Sequence, residues 1–392
     1  MSTCTAAQAA PRSHWAGAVA AALVMAVGMG FGRFAFTGLY PQMVQEGVLS
    51  VHDGTLAASA NYAGYLLGAL LAARLAPAQA RRWAIHSVLM SVLCLAALAL
   101  LHQPWMVVVV RGVAGVFSAL SMIAASLWLL QHRARPEQAA LLYAGVGVGI
   151  VLSAELLAVG EAYALPSPAL WAGLAAAALL LGGLGLLGLD PAPAAPAPAS
   201  DVHGQRHFAL GAWALIALYG LAGYGYIITA TYLPLLVKGL LGPLNPIHLW
   251  ALFGLGAVPA CYLWQRLHLR LGTHRALRLN LLVQALGVVL PVLLPNAAGY
   301  LGSALLVGAT FTGTVTIALP AAKRVAHTFK ANLLAAMTAA YGLGQILGPL
   351  AASALFNLTG GFSLALASAA LALVAGALFT LQPSHVHRSP RP

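Results

Sequence analysis

Apolar runs of about 20 residues or more, parted by short polar breaks, follow one another from Trp15 to Leu381. That repetition decides the fold class, because a helix needs about 20 mostly apolar residues to cross a hydrocarbon layer roughly 30 Å thick. Twelve runs can be marked, over residues 15–44, 54–74, 83–101, 104–130, 138–161, 168–189, 208–237, 247–267, 276–295, 299–321, 332–357 and 360–381. The breaks near Gln103, Asn296 and Thr359 are the narrowest, so ten or eleven crossings also fit. Only 7% of the 392 residues are charged while 61% are hydrophobic, too little charge to cover a water-soluble body of this size. The expected class is therefore an all-α integral membrane protein with twelve transmembrane helices. The first run is longer than a signal-peptide core and no small-residue cleavage site follows it, so it reads as a retained crossing. Cys4, Cys94 and Cys261 are too few and too scattered for a disulfide framework or a metal cage, and neither metal nor cofactor is expected.

The net charge of +12 is explained by where the basic residues stand. Of the nineteen Lys and Arg residues, all but Arg33, Arg111 and Lys238 lie at the termini or in alternate loops. This is the positive-inside pattern, and it places both termini in the cytoplasm with an even number of crossings between them. The basic residues coincide with helix ends and lack interleaved aromatic platforms, so a nucleic-acid partner is not expected. The partners expected instead are the lipid bilayer, a small-molecule substrate and protons.

The stretch "DPAPAAPAPASD", Asp190 to Asp201, alternates Pro with Ala and can neither continue a helix nor bury anything. It divides the chain into a tail (1–14), a six-helix bundle (15–189), a linker (190–207), a second six-helix bundle (208–381) and a closing tail (382–392). The two bundles echo each other. A basic loop precedes "YAGVGVG" (Tyr143 to Gly149) in the first and "YGLGQILGP" (Tyr341 to Pro349) in the second, and small residues there allow close helix packing. "GMGFGR" (Gly28 to Arg33) lacks the spacing and strand context of a nucleotide-phosphate loop and reads as helix packing.

The stretches "GFGRFAFTGLYPQM" (Gly30 to Met43), "ANYAGYLLGALLAAR" (Ala60 to Arg74), "GYGYIITATYLP" (Gly223 to Pro234) and "YGLGQILGP" carry a resemblance. The chain resembles the major facilitator superfamily over essentially its full length, and within it the bacterial YbfB/YjiJ group. The resemblance implies a monomeric secondary transporter of the cell inner membrane, with a central cavity between two six-helix bundles. Arg111 with Gly115, in "RGVAG", matches the superfamily's span-four motif, whose arginine is implicated in proton coupling. One departure is visible: Gly68 is followed by Arg74, Arg81 and Arg82 without the acid that precedes the basic residues in the usual loop motif.

A charge near the bilayer centre costs about 3 kcal/mol or more, so each one is a functional candidate. Arg33 stands about 27 Å along the first span, Arg111 roughly 10 Å and Glu155 about 9 Å below the outer ends of theirs, counted at 1.5 Å per residue. The shared depth suggests that Arg33 and Arg111 face the cavity with Glu155 as a common, insufficient counter-ion, leaving positive charge for an anionic substrate group. Two alternatives stay open: Glu155 titrates during the cycle and couples protons to transport, or an Arg–Glu pair merely locks helices together. Asp53 and Glu161 read as solvated carboxylates at the outer interface, Glu46 as a plain loop acid, Lys238 as a snorkelling lysine and His86 as a satisfied interior histidine near the cytoplasmic end.

Spans seven to twelve contain no mid-membrane charge, so that half can offer only polar and aromatic groups. Tyr226 with Thr229, and Thr338 with Tyr341 and Gln345, share helical faces; Asn61 with Tyr65 adds a pair in the first half. Trp128, Trp171 and Trp250, near span ends, read as interfacial anchors. The asymmetry points to an amphipathic cargo. The expected function is secondary active transport of a small organic anion or amphipathic metabolite by alternating access, proton-coupled; the rival is proton-driven export of lipophilic or cationic drug-like compounds. Enzymatic activity is not expected, since no Ser–His, His–Asp or metal-binding set appears at plausible spacing.

Overall fold

The computed structural model describes residues 15–101, 103–190, 210–237, 245–330 and 332–381. Both tails, Lys238 and the linker after Asp190 lie outside the described residues. Helices form along the apolar runs, and no strand occurs among the described residues. In chain order the helices are α1 (Ala16–Gln45), α2 (Val51–Ala72), α3 (Pro77–Leu100), α4 (Pro104–His132), α5 (Pro136–Ala162), α6 (Ser167–Gly188), α7 (Ala212–Leu236), α8 (Pro246–Leu293), α9 (Ala297–Thr328), α10 (Leu333–Thr359) and α11 (Ser363–Phe379). Nine of them are long and apolar enough to cross a membrane, while α2 and the 17-residue α11 fall outside that set.

Local chemistry sets the breaks, including the three narrowest. Gln103 is extended ahead of Pro104, which opens α4 where a missing N–H costs nothing. Asn296 caps α9 by accepting from the Gly299 N–H, and Gly360 closes α10 in the left-handed conformation at φ 70°. Ser50 and Asp53 form a reciprocal capping box at the start of α2. α8 has 48 residues, which as one straight helix would reach about 72 Å, over twice a bilayer core. Gly272, at φ 74° and ψ 169°, interrupts it and separates an amino arm from a carboxyl arm.

The surface is apolar, and a minority of polar side chains lies inside an otherwise apolar core. Leu93, Leu100, Leu180, Leu187, Leu269 and Leu371 project outward, while Asn61, Arg111, Thr229, Gln284 and Gln345 are buried. This suits a lipid surround, where every polar backbone group must be satisfied within the helices. Close approach depends on missing side chains at matched places in the two halves. A Cβ on Gly149 of α5 would meet the Ala26 backbone of α1 at 2.5 Å, and one on Gly344 of α10 would meet the Gly220 backbone of α7 at 2.3 Å. Between the halves, α2 packs on α10 and α5 on the amino arm of α8.

Two expectations are corrected here. Trp128, Trp171 and Trp250 are fully buried and fill space between helices rather than anchoring at a lipid interface. Trp128 lies against Gly17, where the neighbouring helix leaves room, and Trp250 stacks on Phe253 at 4.4 Å between ring centres. The tryptophans that do project outward are Trp15, Trp105 and Trp213. His86 is exposed rather than interior, its ring edge-on to Trp83 at 6.1 Å.

Candidate functional site

The site begins with a distortion of α1. Between Ala26 and Phe34 this helix is π-helical, flanked by regular α-helix on both sides. Glycines at 28, 30 and 32 bring it against its neighbours: a Cβ on Gly30 would stand 2.3 Å from the Gly149 backbone, and one on Gly28 2.3 Å from Ser121 Oγ. Wider i→i+5 pairing disturbs the register where the α-helix resumes, and carbonyls there need donors from outside. Arg111 of α4 supplies them, Nη1 donating to the Gly32 carbonyl and Nη2 to the Arg33 carbonyl, both at 2.9 Å. Its guanidinium also lies 4.6 Å from the Phe36 ring centre. Asn61 of α2 in turn donates to the Arg111 carbonyl at 2.9 Å, so three helices are tied at one point.

Arg33 is placed differently. It is 3% exposed, and its guanidinium lies 4.1 Å from the Tyr65 ring centre, 5.2 Å from Tyr62 and 5.1 Å from Phe34. Nη2 stands 3.5 Å from the Tyr226 hydroxyl of α7, across the boundary between the halves. The side chains that contact its guanidinium are phenols and ring faces. Cation–π contacts in a desolvated setting contribute about 2 kcal/mol each, which offsets part of the several kcal/mol that burial of the charge costs. Nε has no hydrogen-bond partner.

On the other side of the boundary, Gln345 of α10 donates its amide N–H to the Tyr226 hydroxyl oxygen. The Tyr226 ring stacks between Phe311 of α9 and Tyr341, at 5.5 and 5.9 Å. Gln345 Oε1 and Thr229 Oγ1 are buried acceptors without partners. The cluster thus joins a cation and an unpaired donor from one half to a phenol, an amide oxygen and a hydroxyl from the other.

Toward one end the cluster is closed by bonds between the halves. Every residue from Val24 to Tyr40 of α1 and from Gly225 to Pro234 of α7 is buried. The carboxyl-terminal parts of these helices are bonded across the halves: Thr37 donates to the Ala230 carbonyl at 2.9 Å, Thr55 meets Tyr232 at 2.7 Å, and Tyr62 meets Thr231 at 2.9 Å. Trp250 of α8 donates to the Phe34 carbonyl at 3.0 Å. Toward the amino-terminal ends, Ile216, Ala217, Gly220, Leu221 and Tyr224 of α7 are partly exposed. The buried core there includes a separate cluster confined to the second half, whereas at the sealed end one core runs through both.

Of the residues singled out in the sequence, Arg33, Tyr65, Tyr226, Tyr341 and Gln345 come together, with buried Thr229 one turn along α7 from Tyr226. Arg111 and Asn61 stand behind them as backbone ties, and Thr338 bonds to its own helix at the Leu334 carbonyl. Glu155 is not a counter-ion to either arginine in this conformation. It is 44% exposed and meets His248 Nδ1 of α8 at 3.0 Å. The depth expected from residue counting tells nothing of the direction in which a side chain points. α5 turns this part of its surface to α8, as Gly147, about two turns earlier, shows by its contact with Gly254 and Val258. Glu161 follows suit, accepting from Asn245 Nδ2. Sequence reasoning missed Tyr62, Phe34, Phe311, Trp250 and His248. Tyr62 had a signal, three residues before Tyr65 on one helical face; Phe311 and His248 had none.

A comparison with curated proteins finds no match. A family model described as "uncharacterised MFS-type transporter YbfB" matches residues 25–381, nearly the whole of the described helical body and every residue of the Arg33–Tyr226–Gln345 cluster. The chain belongs to that family of major facilitator membrane transporters.

Proposed function

We propose that this chain is a twelve-crossing secondary active transporter that carries a small organic anion, or an amphipathic metabolite with an anionic end, across the inner membrane by alternating access. Nine helices qualify as crossings by length and apolarity; division of α8 at Gly272 adds a tenth, and α2 and α11 complete the set. The basic residues at alternate helix ends favour cytoplasmic termini, so the sealed end faces outward and the partly exposed end faces the cytoplasm. This conformation then corresponds to an inward-facing state, with the halves rocking about the Arg33 cluster.

The reading is carried by Arg33, a buried cation at the boundary between the halves whose neighbours are phenols and ring faces. A carboxylate or similar anionic group would accept from its unpaired N–H, and the apolar remainder of the cargo would lie against Tyr226, Tyr341 and Phe311. Tyr65, Gln345 and Thr229 complete the contacts. Proton coupling is assigned to Glu155, a half-exposed carboxylate that meets His248 across the halves. Arg111, held on two carbonyls, maintains the bend of α1 that presents Arg33.

The test is uptake by proteoliposomes under an imposed pH gradient, using radiolabelled aromatic and aliphatic carboxylates beside lipophilic cations. Gradient-driven carboxylate uptake is expected, abolished in Arg33→Ala and reduced at least about tenfold in Arg33→Lys, which keeps the charge without the planar fork. Cation flux that persists in Arg33→Ala and disappears in Glu155→Gln would establish the drug-export reading instead.

A further inference from the structure

The first turns of α3 carry a feature that the transport site does not use. A cavity of about 280 Å³ opens there, lined by Gln79, Arg82, Trp83 and His86. These residues follow the i, i+3, i+4, i+7 spacing of one helical face, and Trp83 and His86 meet edge-on at 6.1 Å. Adjacent Arg81 points elsewhere and donates to the Leu189 carbonyl at 2.9 Å, which leaves Arg82 as the arginine that borders the opening.

Further along α3 the same outward stripe changes character. Its exposed positions after Gln79, Arg82 and His86 are Leu89, Leu93 and Leu100. A polar, cationic cavity at the helix end therefore passes directly into a leucine track. From His86 to Leu93 the rise is about 10 Å, within one leaflet of a bilayer whose core is roughly 30 Å thick. An indole at the junction is the usual occupant of the headgroup level.

We infer that this cavity is a binding site for one anionic phospholipid, its phosphate held by Arg82 and His86 with Gln79 donating, its glycerol region against Trp83 and its acyl chains along Leu89 and Leu93. Charge decides between anionic and zwitterionic lipid, since no carboxylate lines the cavity to receive a choline or ethanolamine group. The leucine track decides between a lipid and a free phosphate ester.

The test uses the purified full-length protein in a neutral detergent, with thermal unfolding followed as lipid is added. Phosphatidylglycerol is expected to raise Tm at lower concentration than phosphatidylcholine, and soluble glycerol phosphate to give no shift. In the double variant Arg82→Gln, His86→Gln the concentration of phosphatidylglycerol needed should rise about fivefold or more, the scale of one basic contact near a membrane surface. Both side chains are exposed, so the variant retains its fold. Arg275→Gln, which removes an exposed charge in the other half, should leave the titration unchanged. Equal responses to the two lipids, an unaltered titration in the double variant, or an equal loss in Arg275→Gln would each overturn the site. A shift with glycerol phosphate matching that with phosphatidylglycerol would overturn its assignment to a lipid.

Discussion

α1 and α7 open their respective halves, pack against the corresponding small-residue helix, and are buried on all sides where they meet, yet they differ in helical regularity and in how much outside bracing they take. α7 is α-helical throughout with Pro234 near its end, and the Ala230 carbonyl that this proline leaves without its helical donor accepts from Thr37 of α1; Thr231 donates to the Ile227 carbonyl of its own helix and meets Tyr62 across the halves. α1 is π-helical through its middle and depends on Arg111 of another helix to satisfy two of its carbonyls. One half thus holds a fixed cation on a π-helical backbone braced at two carbonyls by Arg111; the other offers a phenol and a hydroxyl on an α-helix braced at one carbonyl by Thr37, with an amide from α10 beside them. A charge in low dielectric depends on fixed surroundings, whereas a hydroxyl can rotate to suit more than one partner.

The comparison is broken most forcefully at the small-residue contacts. Gly30→Val places side-chain atoms where the Gly149 backbone already stands, and Gly344→Val does the same against Gly220. Each is expected to cost about 3 kcal/mol or more, the upper range of overpacking, read as loss of folded monodisperse protein in size-exclusion chromatography. If only one of the two failed to fold, the equivalence of the α1 and α7 contacts would be wrong.

A sharper test follows from bracing. Arg111→Gln leaves two buried carbonyls short of donors, at about 1–3 kcal/mol each, so a large fall in Tm is expected. Thr231→Val, in the regular helix, should cost about 1 kcal/mol. Equal losses would mean that the π-helical segment supports itself. The smallest effect belongs to the Glu155–His248 contact: Glu155→Gln weakens a half-exposed contact and should change stability by less than about 1 kcal/mol. A larger drop in Tm would make that contact part of the framework.

The helices themselves were legible because lipid imposes a strong rule on sequence. Every break down to Gln103, Asn296 and Thr359 coincides with a proline, a capping side chain or a left-handed glycine. Arg33 was legible for the same reason, since a cation in an apolar run has few explanations. Its surroundings were not. Residue counting gave Arg33, Arg111 and Glu155 a common depth, but Arg111 turns to backbone and Glu155 to His248. The tryptophans near span ends were misread by the same limitation, because nearness to an end does not reveal whether an indole faces lipid or a glycine on the next helix.

The sequence by itself determined that the chain is a helical membrane body with rare intramembrane charge confined to one half, because hydrocarbon penalises every unsatisfied polar group whatever the packing. Only the tertiary structure decided which cation is spent on the backbone and which faces the other half. That choice rests on the rotation of each helix about its axis and on the π-helical turn of α1, set by close contacts between residues far apart in the chain.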